Sequence, residues 1–152
     1  MLFRSPATGW RIDDVSIAQR VCCSPVVPPT VTINQAASQP DPTSVSPINF
    51  TVVFSEAVTG FTNAGVNLTG TAGATTKVVS GSGATYNVAV SGMTASGTVI
   101  ATVSANAATG TINPVGNVAS TSTDNTVTFN LVVLPGCITT VSYVGQIGRA
   151  HV

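Results

Sequence analysis

Short runs in which apolar and polar residues alternate follow one another along the middle of the chain. In residues 48–55 the apolar positions are Ile48, Phe50, Val52 and Phe54, each separated from the next by one residue. A period of two places successive side chains on opposite faces of a strand, so it is typical of strands that bury one face. Apolar positions at helical spacing are absent from these runs. The pattern therefore predicts an all-β fold, in which Phe54→Ala is the most damaging single change.

Seven such runs are predicted to be strands. They are residues 30–34, 48–55, 66–68, 77–80, 86–91, 97–103 and 125–131. Turn-forming residues lie between them, as in Pro40-Asp41-Pro42 and Gly81-Ser82-Gly83. Seven short strands separated by turns are typical of an antiparallel sandwich. If the strands run alternately up and down, residues on either side of each strand can be assigned to one end of the sandwich.

Composition narrows the possible classes of protein. The chain has 152 residues, of which 43% are hydrophobic and 7% charged, whereas an ordinary domain carries about 25% charged residues. This is too apolar for a disordered chain, and 5 basic against 5 acidic residues do not form the basic surface of a nucleic-acid-binding protein. No apolar run reaches the roughly 20 residues that a transmembrane helix needs. Within residues 30–131 the net charge is −2, from Lys77 against Asp41, Glu56 and Asp124.

The ends of the chain differ from its middle. Residues 22–29, CCSPVVPP, are proline-rich and predict an extended linker between a remnant of a preceding β domain, residues 1–21, and the domain at residues 30–131. Residues 132–146 are interpreted as a second linker or the start of a next module. Residues 147–152 are interpreted as the translation of a sequencing adaptor and are excluded from the fold.

Four segments of the middle region resemble a bacterial immunoglobulin-like repeat. They are VTIN at residues 31–34, PINFTVVFSEAVTGF at 47–61, GTAGA at 70–74 and STDNTV at 122–127. Such repeats occur in tandem in large secreted or surface-anchored bacterial proteins. The resemblance implies a seven-stranded immunoglobulin-like antiparallel β-sandwich with irregular N- and C-terminal extensions. Because residues 30–131 contain neither cysteine nor tryptophan, the inter-sheet disulfide of antibody domains is not expected.

A second resemblance concerns the N-terminal remnant. The sequence GWRIDDVS at residues 9–16 resembles the last strand of a jelly-roll domain, such as a carbohydrate-binding or MAM-like module. In that family Asp13 stands where a structural calcium ligand is often found. Trp10 is open to two interpretations, a platform for stacking a sugar or ordinary core packing beside Ile12.

The sequence argues against catalysis. Hydrolysis usually needs a nucleophile beside a base, or two carboxylates facing one bond. The only histidine, His151, lies in the segment interpreted as an adaptor. The GxSxG, phosphate-binding and dinucleotide-binding motifs are absent from the sequence. We therefore predict that the protein is not an enzyme.

Calcium is the cofactor that the acidic residues could bind. Carboxylate and carbonyl oxygens are its preferred ligands, and an up-and-down order places Glu56 and Asp124 at the end where the linker arrives. These two residues could share one ion, whereas Asp41 falls at the other end. The alternative is that Asp41 and Asp124 form local turn hydrogen bonds and that Glu56 is a solvated strand end.

The three cysteines all lie outside the predicted domain. Cys22 and Cys23 precede it and Cys137 follows it. An odd number is unsuited to a self-contained set of disulfides, so pairing with neighbouring domains is expected.

These observations lead to one main functional hypothesis. The domain is predicted to be a non-catalytic spacer or adhesion module of an exported bacterial protein, extracellular or on the cell surface. Its expected partners are neighbouring immunoglobulin-like or jelly-roll domains of the same chain and a host or matrix glycan or protein. Two alternatives remain: an accessory module of a secreted hydrolase, and direct ligand capture by the loops at Glu56 and Asp124.

Overall fold

The structure, a computed structural model, describes residues 25–133. This part of the chain is almost entirely β structure. The strands are β1 (Val31–Gln35), β2 (Ile48–Phe54), β3 (Val58–Thr59), β4 (Val66–Thr69), β5 (Thr76–Ser82), β6 (Thr85–Ser91), β7 (Gly97–Val103), β8 (Thr109–Gly110) and β9 (Thr126–Phe129). One turn of 3-10 helix, Asn63–Gly65, precedes β4. None of the helical structure within residues 25–133 could cross a membrane.

The largest sheet has four antiparallel strands in the order β1-β2-β6-β5. Its longest pairing joins β5 to β6, from Thr76 opposite Ser91 to Ser82 opposite Thr85. Only Gly83 and Ala84 connect these two strands, and Gly83 has a φ of 70°. A two-residue hairpin with positive φ at its first position is a type II′ turn, in which glycine is preferred because it lacks a Cβ.

A second sheet contains three antiparallel strands in the order β4-β7-β9. Its neighbouring strands are not consecutive in the sequence: the β5-β6 hairpin lies between β4 and β7, and β8 lies between β7 and β9. The short strands β3 and β8 form a separate antiparallel pair, with Val58 opposite Gly110. The chain therefore passes back and forth between two sheets.

Inward-facing side chains from both larger sheets form one hydrophobic core. Its buried members are Val31, Ile33, Ile48, Phe50, Val52, Phe54, Val58, Phe61, Val66, Ala72, Tyr86, Val88, Val90, Val99, Ala101, Val103, Ala108, Val127 and Phe129. At one end of this core, the rings of Phe54, Phe61 and Tyr86 make three edge-to-face contacts with centroids 5.1–5.9 Å apart. Such contacts add to the free energy gained by burying the rings. The arrangement is sandwich-like, with one face of each large sheet buried.

Residues 104–125, hereafter the β7–β9 connection, contain β8 and return along the edge of β1. Val118 N–H donates to Pro29 O at 3.0 Å, and further along Gln35 N–H donates to Asp124 O at 2.6 Å. Residue numbers rise together on both sides, so this part of the connection runs parallel to β1. The chain then continues into β9, away from Pro29. It consequently enters at one end of the structure and leaves at the opposite end.

The structure confirms the all-β, antiparallel prediction but differs in detail. Within residues 25–133, nine strands form three sheets, where seven strands are predicted. The two additional strands, β3 and β8, have two residues each, which is too short to produce an alternating pattern. β5 is longer than predicted, at Thr76–Ser82, and β9 is shorter, at Thr126–Phe129. Residues 25–30 belong to no strand. The predictions for residues 1–21, Cys22, Cys23, Cys137 and residues 147–152 lie outside the described residues.

Candidate functional site

Glu56 lies two residues after β2, in the turn that leads to β3. Its carboxylate reaches across to the β7–β9 connection, where Ile112 N–H donates to Glu56 Oε2 at 3.1 Å. Beside it, Thr111 donates to Ala57 O through both its backbone N–H and its hydroxyl, each at 3.0 Å. Glu56 is half-buried and thus is not the solvated strand end considered above. It fastens the β7–β9 connection to the end of β2.

The other carboxylate oxygen of Glu56 faces Gly110. Glu56 Oε1 is buried and has no hydrogen-bond partner among the described residues. A Cβ on Gly110 would overlap this oxygen, and it would also stand 2.5 Å from Asn113 O and 2.9 Å from Pro29 Cγ. Only glycine therefore lets the carboxylate approach the backbone of β8 so closely.

Asp124 lies at the other end of β1. Its N–H donates to Asn34 Oδ1 at 3.2 Å, and its carbonyl accepts from Gln35 N–H, whereas Glu56 lies beside Gly110 and Pro29. The expectation that Glu56 and Asp124 share one ion is therefore wrong. The physical reason is that the chain before β9 extends along β1 instead of turning at the end of the sheet, which carries Asp124 away from Glu56.

Asp41 is held by the second sheet. Thr128 N–H, in β9, donates to Asp41 Oδ1 at 2.9 Å. This bond joins residues far apart in the sequence, so it replaces the local turn bond considered for Asp41. Together with Thr43 N–H, which donates to Thr128 O at 2.9 Å, it covers the free edge of β9.

Acidic side chains do not cluster in the part of the chain that the structure describes. Residues 25–133 contain no group of three or more histidine, cysteine, aspartate or glutamate side chains that could hold a metal ion. Calcium binding at Glu56 or Asp124 with ligands from elsewhere stays a prediction, which calorimetry with and without a chelator tests. Asp13 lies outside the described residues.

Lys77 is the one basic residue in residues 30–131. It lies on edge strand β5, and its ammonium group donates to Val66 O in the opposite sheet. An inward-pointing lysine on an edge strand opposes pairing with another chain.

Asn117 is a structural residue that the sequence pattern did not identify. It is 2% exposed; its Oδ1 accepts from Ala108 N–H at 2.8 Å, and its Nδ2 donates to Ser104 O at 2.9 Å and Val118 O at 2.7 Å. A buried amide with all these bonds fixes the backbone around it. In the sequence Gly116-Asn117 is typical of a turn, and nothing in the apolar pattern marks the residue as buried.

Comparisons of this chain with protein families, with curated proteins and with solved structures found no match.

Proposed function

We propose that residues 30–131 are an immunoglobulin-like spacer or adhesion module of a large exported bacterial protein, located outside the cell or on its surface. The observation that carries this proposal is the position of the chain ends. Pro29 lies beside Val118, and the chain then runs through Asp124 and β9 to Asn130. At about 3.3 Å per residue, the incoming and outgoing chains are up to roughly 40 Å apart. A module with this layout lengthens a chain in which it is inserted.

Strand order supports the immunoglobulin-like part of the proposal. Without the short β3 and β8, seven strands remain. Their order is first-second-fifth-fourth in one sheet and third-sixth-seventh in the other, which is the order in constant-type immunoglobulin domains.

The outer faces of the two large sheets support a passive role. Their outward positions are uncharged: Thr32, Asn34, Asn49, Thr51, Val53, Thr76, Val78, Ser80, Thr85, Asn87 and Ala89 in one sheet, and Asn67, Thr69, Thr98, Ile100, Thr102, Thr126 and Thr128 in the other. Most of these positions carry hydroxyl or amide groups, which can hydrogen-bond to water. Uncharged faces exert little electrostatic attraction on charged macromolecules.

The flanking coding sequence tests this proposal. We expect several further copies of the pattern in residues 30–131, joined by short linkers like residues 22–29. One or two copies beside a catalytic domain would instead support an accessory module of a secreted hydrolase. A glycan and matrix-protein array probed with the full chain tests ligand capture. Binding that Glu56→Ala abolishes would replace the spacer proposal with a recognition site at that loop.

A further inference from the structure

Both long edges of β1 are hydrogen-bonded. On one edge β1 pairs with β2, from Val31 opposite Phe54 to Gln35 opposite Phe50. On the other edge it contacts residues 118–125, which run parallel to it. Five hydrogen bonds join this segment to β1 and to Pro29 just before it. They are Val118 N–H to Pro29 O at 3.0 Å, Thr121 N–H to Val31 O at 3.1 Å, Ile33 N–H to Ser122 Oγ at 3.0 Å, Asp124 N–H to Asn34 Oδ1 at 3.2 Å and Gln35 N–H to Asp124 O at 2.6 Å.

The direction of the two segments decides how a pulling force would act on these bonds. The N-terminal part of the chain joins β1 at Pro29, whereas residues 118–125 continue through β9 to the outgoing chain at the opposite end. Tension between the two ends therefore pulls β1 one way and residues 118–125 the other, along their common axis. Hydrogen bonds between parallel strands are slanted but still run from one strand to the other, so tension along the common axis loads all five together instead of breaking them one after another.

We propose that β1 and residues 118–125 form a mechanical clamp, which resists unfolding when the chain is pulled from its two ends. The biological role of the clamp rests on the proposed spacer function. Its existence is a property of the fold and can be measured directly. If force measurements showed no clamp, the number of module copies in the gene would still test the spacer proposal, so the two proposals can fail separately.

Two of the five bonds use side-chain acceptors and can be removed without changing the backbone. Ser122→Ala removes the acceptor of Ile33 N–H, and Asn34→Ala removes the acceptor of Asp124 N–H. A matched control exists on the other side of the same segment. Ser120 Oγ accepts from Val103 N–H at 2.9 Å, and Asn125 Nδ2 donates to Ala101 O at 2.9 Å, both toward β7. The Ser120→Ala/Asn125→Ala pair therefore removes two bonds of similar kind outside the clamp.

The experiment is single-molecule force spectroscopy on the full chain, with handles at its two ends. At a fixed force we expect Ser122→Ala/Asn34→Ala to unfold about tenfold faster than the unmodified chain. The control pair should change this unfolding rate by less than about threefold. Both pairs should lower the urea midpoint of unfolding by a similar amount. Equal acceleration by both pairs would overturn the clamp, because the loss would then reflect general stability.

The direction of pulling gives a second test that needs no destabilising variant. Thr30 and Ala119 are exposed and lie at the same end of the two parallel segments. Handles on Thr30→Cys and Ala119→Cys, with the three natural cysteines replaced by serine, would open the five bonds one at a time. We expect a clearly lower unfolding force in this direction than between the chain ends. Equal forces in the two directions would overturn the proposal.

Discussion

The four-stranded sheet and the β7–β9 connection are stabilised by different kinds of contact. In the sheet, inward apolar side chains such as Phe50 and Val88 are completely buried. In the connection, Ala108 is the one apolar residue that belongs to the buried core, and the backbone is held by Asn117, Ser120 and Ser122. The sheet depends on the area removed from water, whereas the connection depends on hydrogen bonds that must all be satisfied.

This difference explains why the strands of the sheet could be predicted from the sequence and the contacts of the connection could not. A row of apolar residues can be recognised from its period of two, whichever strand it pairs with. A polar residue has the same appearance in the sequence whether it is buried and bonded, like Asn117, or solvated, like Asn130. Four sets of substitutions separate the two kinds of stabilisation.

Phe54→Ala should produce the largest effect and tests the apolar side of the comparison. Phe54 is 3% exposed and contacts the rings of Phe61 and Tyr86. The cavity should lower the free energy of unfolding by about 3–5 kcal/mol, as measured by urea denaturation. Val53→Ala is the control, since Val53 faces outward on the same strand and is 44% exposed; it should cost about 0.5 kcal/mol or less. Equal losses would mean that β2 is not buried on one face.

Asn117→Ala tests the polar side. Truncation leaves Ala108 N–H, Ser104 O and Val118 O without their partner, so we expect a loss of roughly 3 kcal/mol in unfolding free energy. Asn130→Ala is the matched control at an exposed position and should be nearly neutral. If Asn117→Ala were equally neutral, the connection would not depend on its buried hydrogen bonds.

Gly110→Ala tests the close approach between the connection and the end of β2. The added methyl group would overlap Glu56 Oε1 and press on Asn113 O, at an expected cost of about 1–3 kcal/mol. Thr109→Ala, at the exposed neighbouring position in β8, should cost much less. In the double variant Glu56→Ala/Gly110→Ala, part of the loss should be recovered because one of the overlapping groups is gone. Strict additivity of the two single changes would contradict this contact.

The smallest effects should distinguish Glu56 from Asp124, the two acidic residues that the predicted up-and-down strand order placed at one end. Glu56→Ala removes the acceptor of Ile112 N–H and should cost about 1 kcal/mol. The bonds of Asp124 use its backbone atoms and its side chain is exposed, so Asp124→Ala should stay within about 0.5 kcal/mol. Thermal denaturation of both variants measures this difference. Similar losses of stability in the two variants would contradict the separate roles of Glu56 and Asp124.

The all-β class and most of the strands could be predicted from the sequence. The row from Ile48 to Phe54 is buried as its period requires, and Gly83 stands in a hairpin turn. The pair of β3 and β8 was missed because two residues cannot show a period. Glu56 could be recognised as a candidate from its residue type, but its partner Ile112 and the adjacent Gly110 lie more than 50 residues later in the sequence.

The inward orientation of side chains and the position of the hairpin turn can be read from the sequence alone, because they follow from a period of two and from a single glycine. The packing of the whole domain, in contrast, sets which strands are neighbours and places residues 118–125 against β1 instead of in an end loop. It also sets Glu56 and Asp124 apart. These features depend on hydrogen bonds between distant backbone groups, which nearly all residue types carry alike. Only the packing of the two sheets around one core selects among the possible pairings.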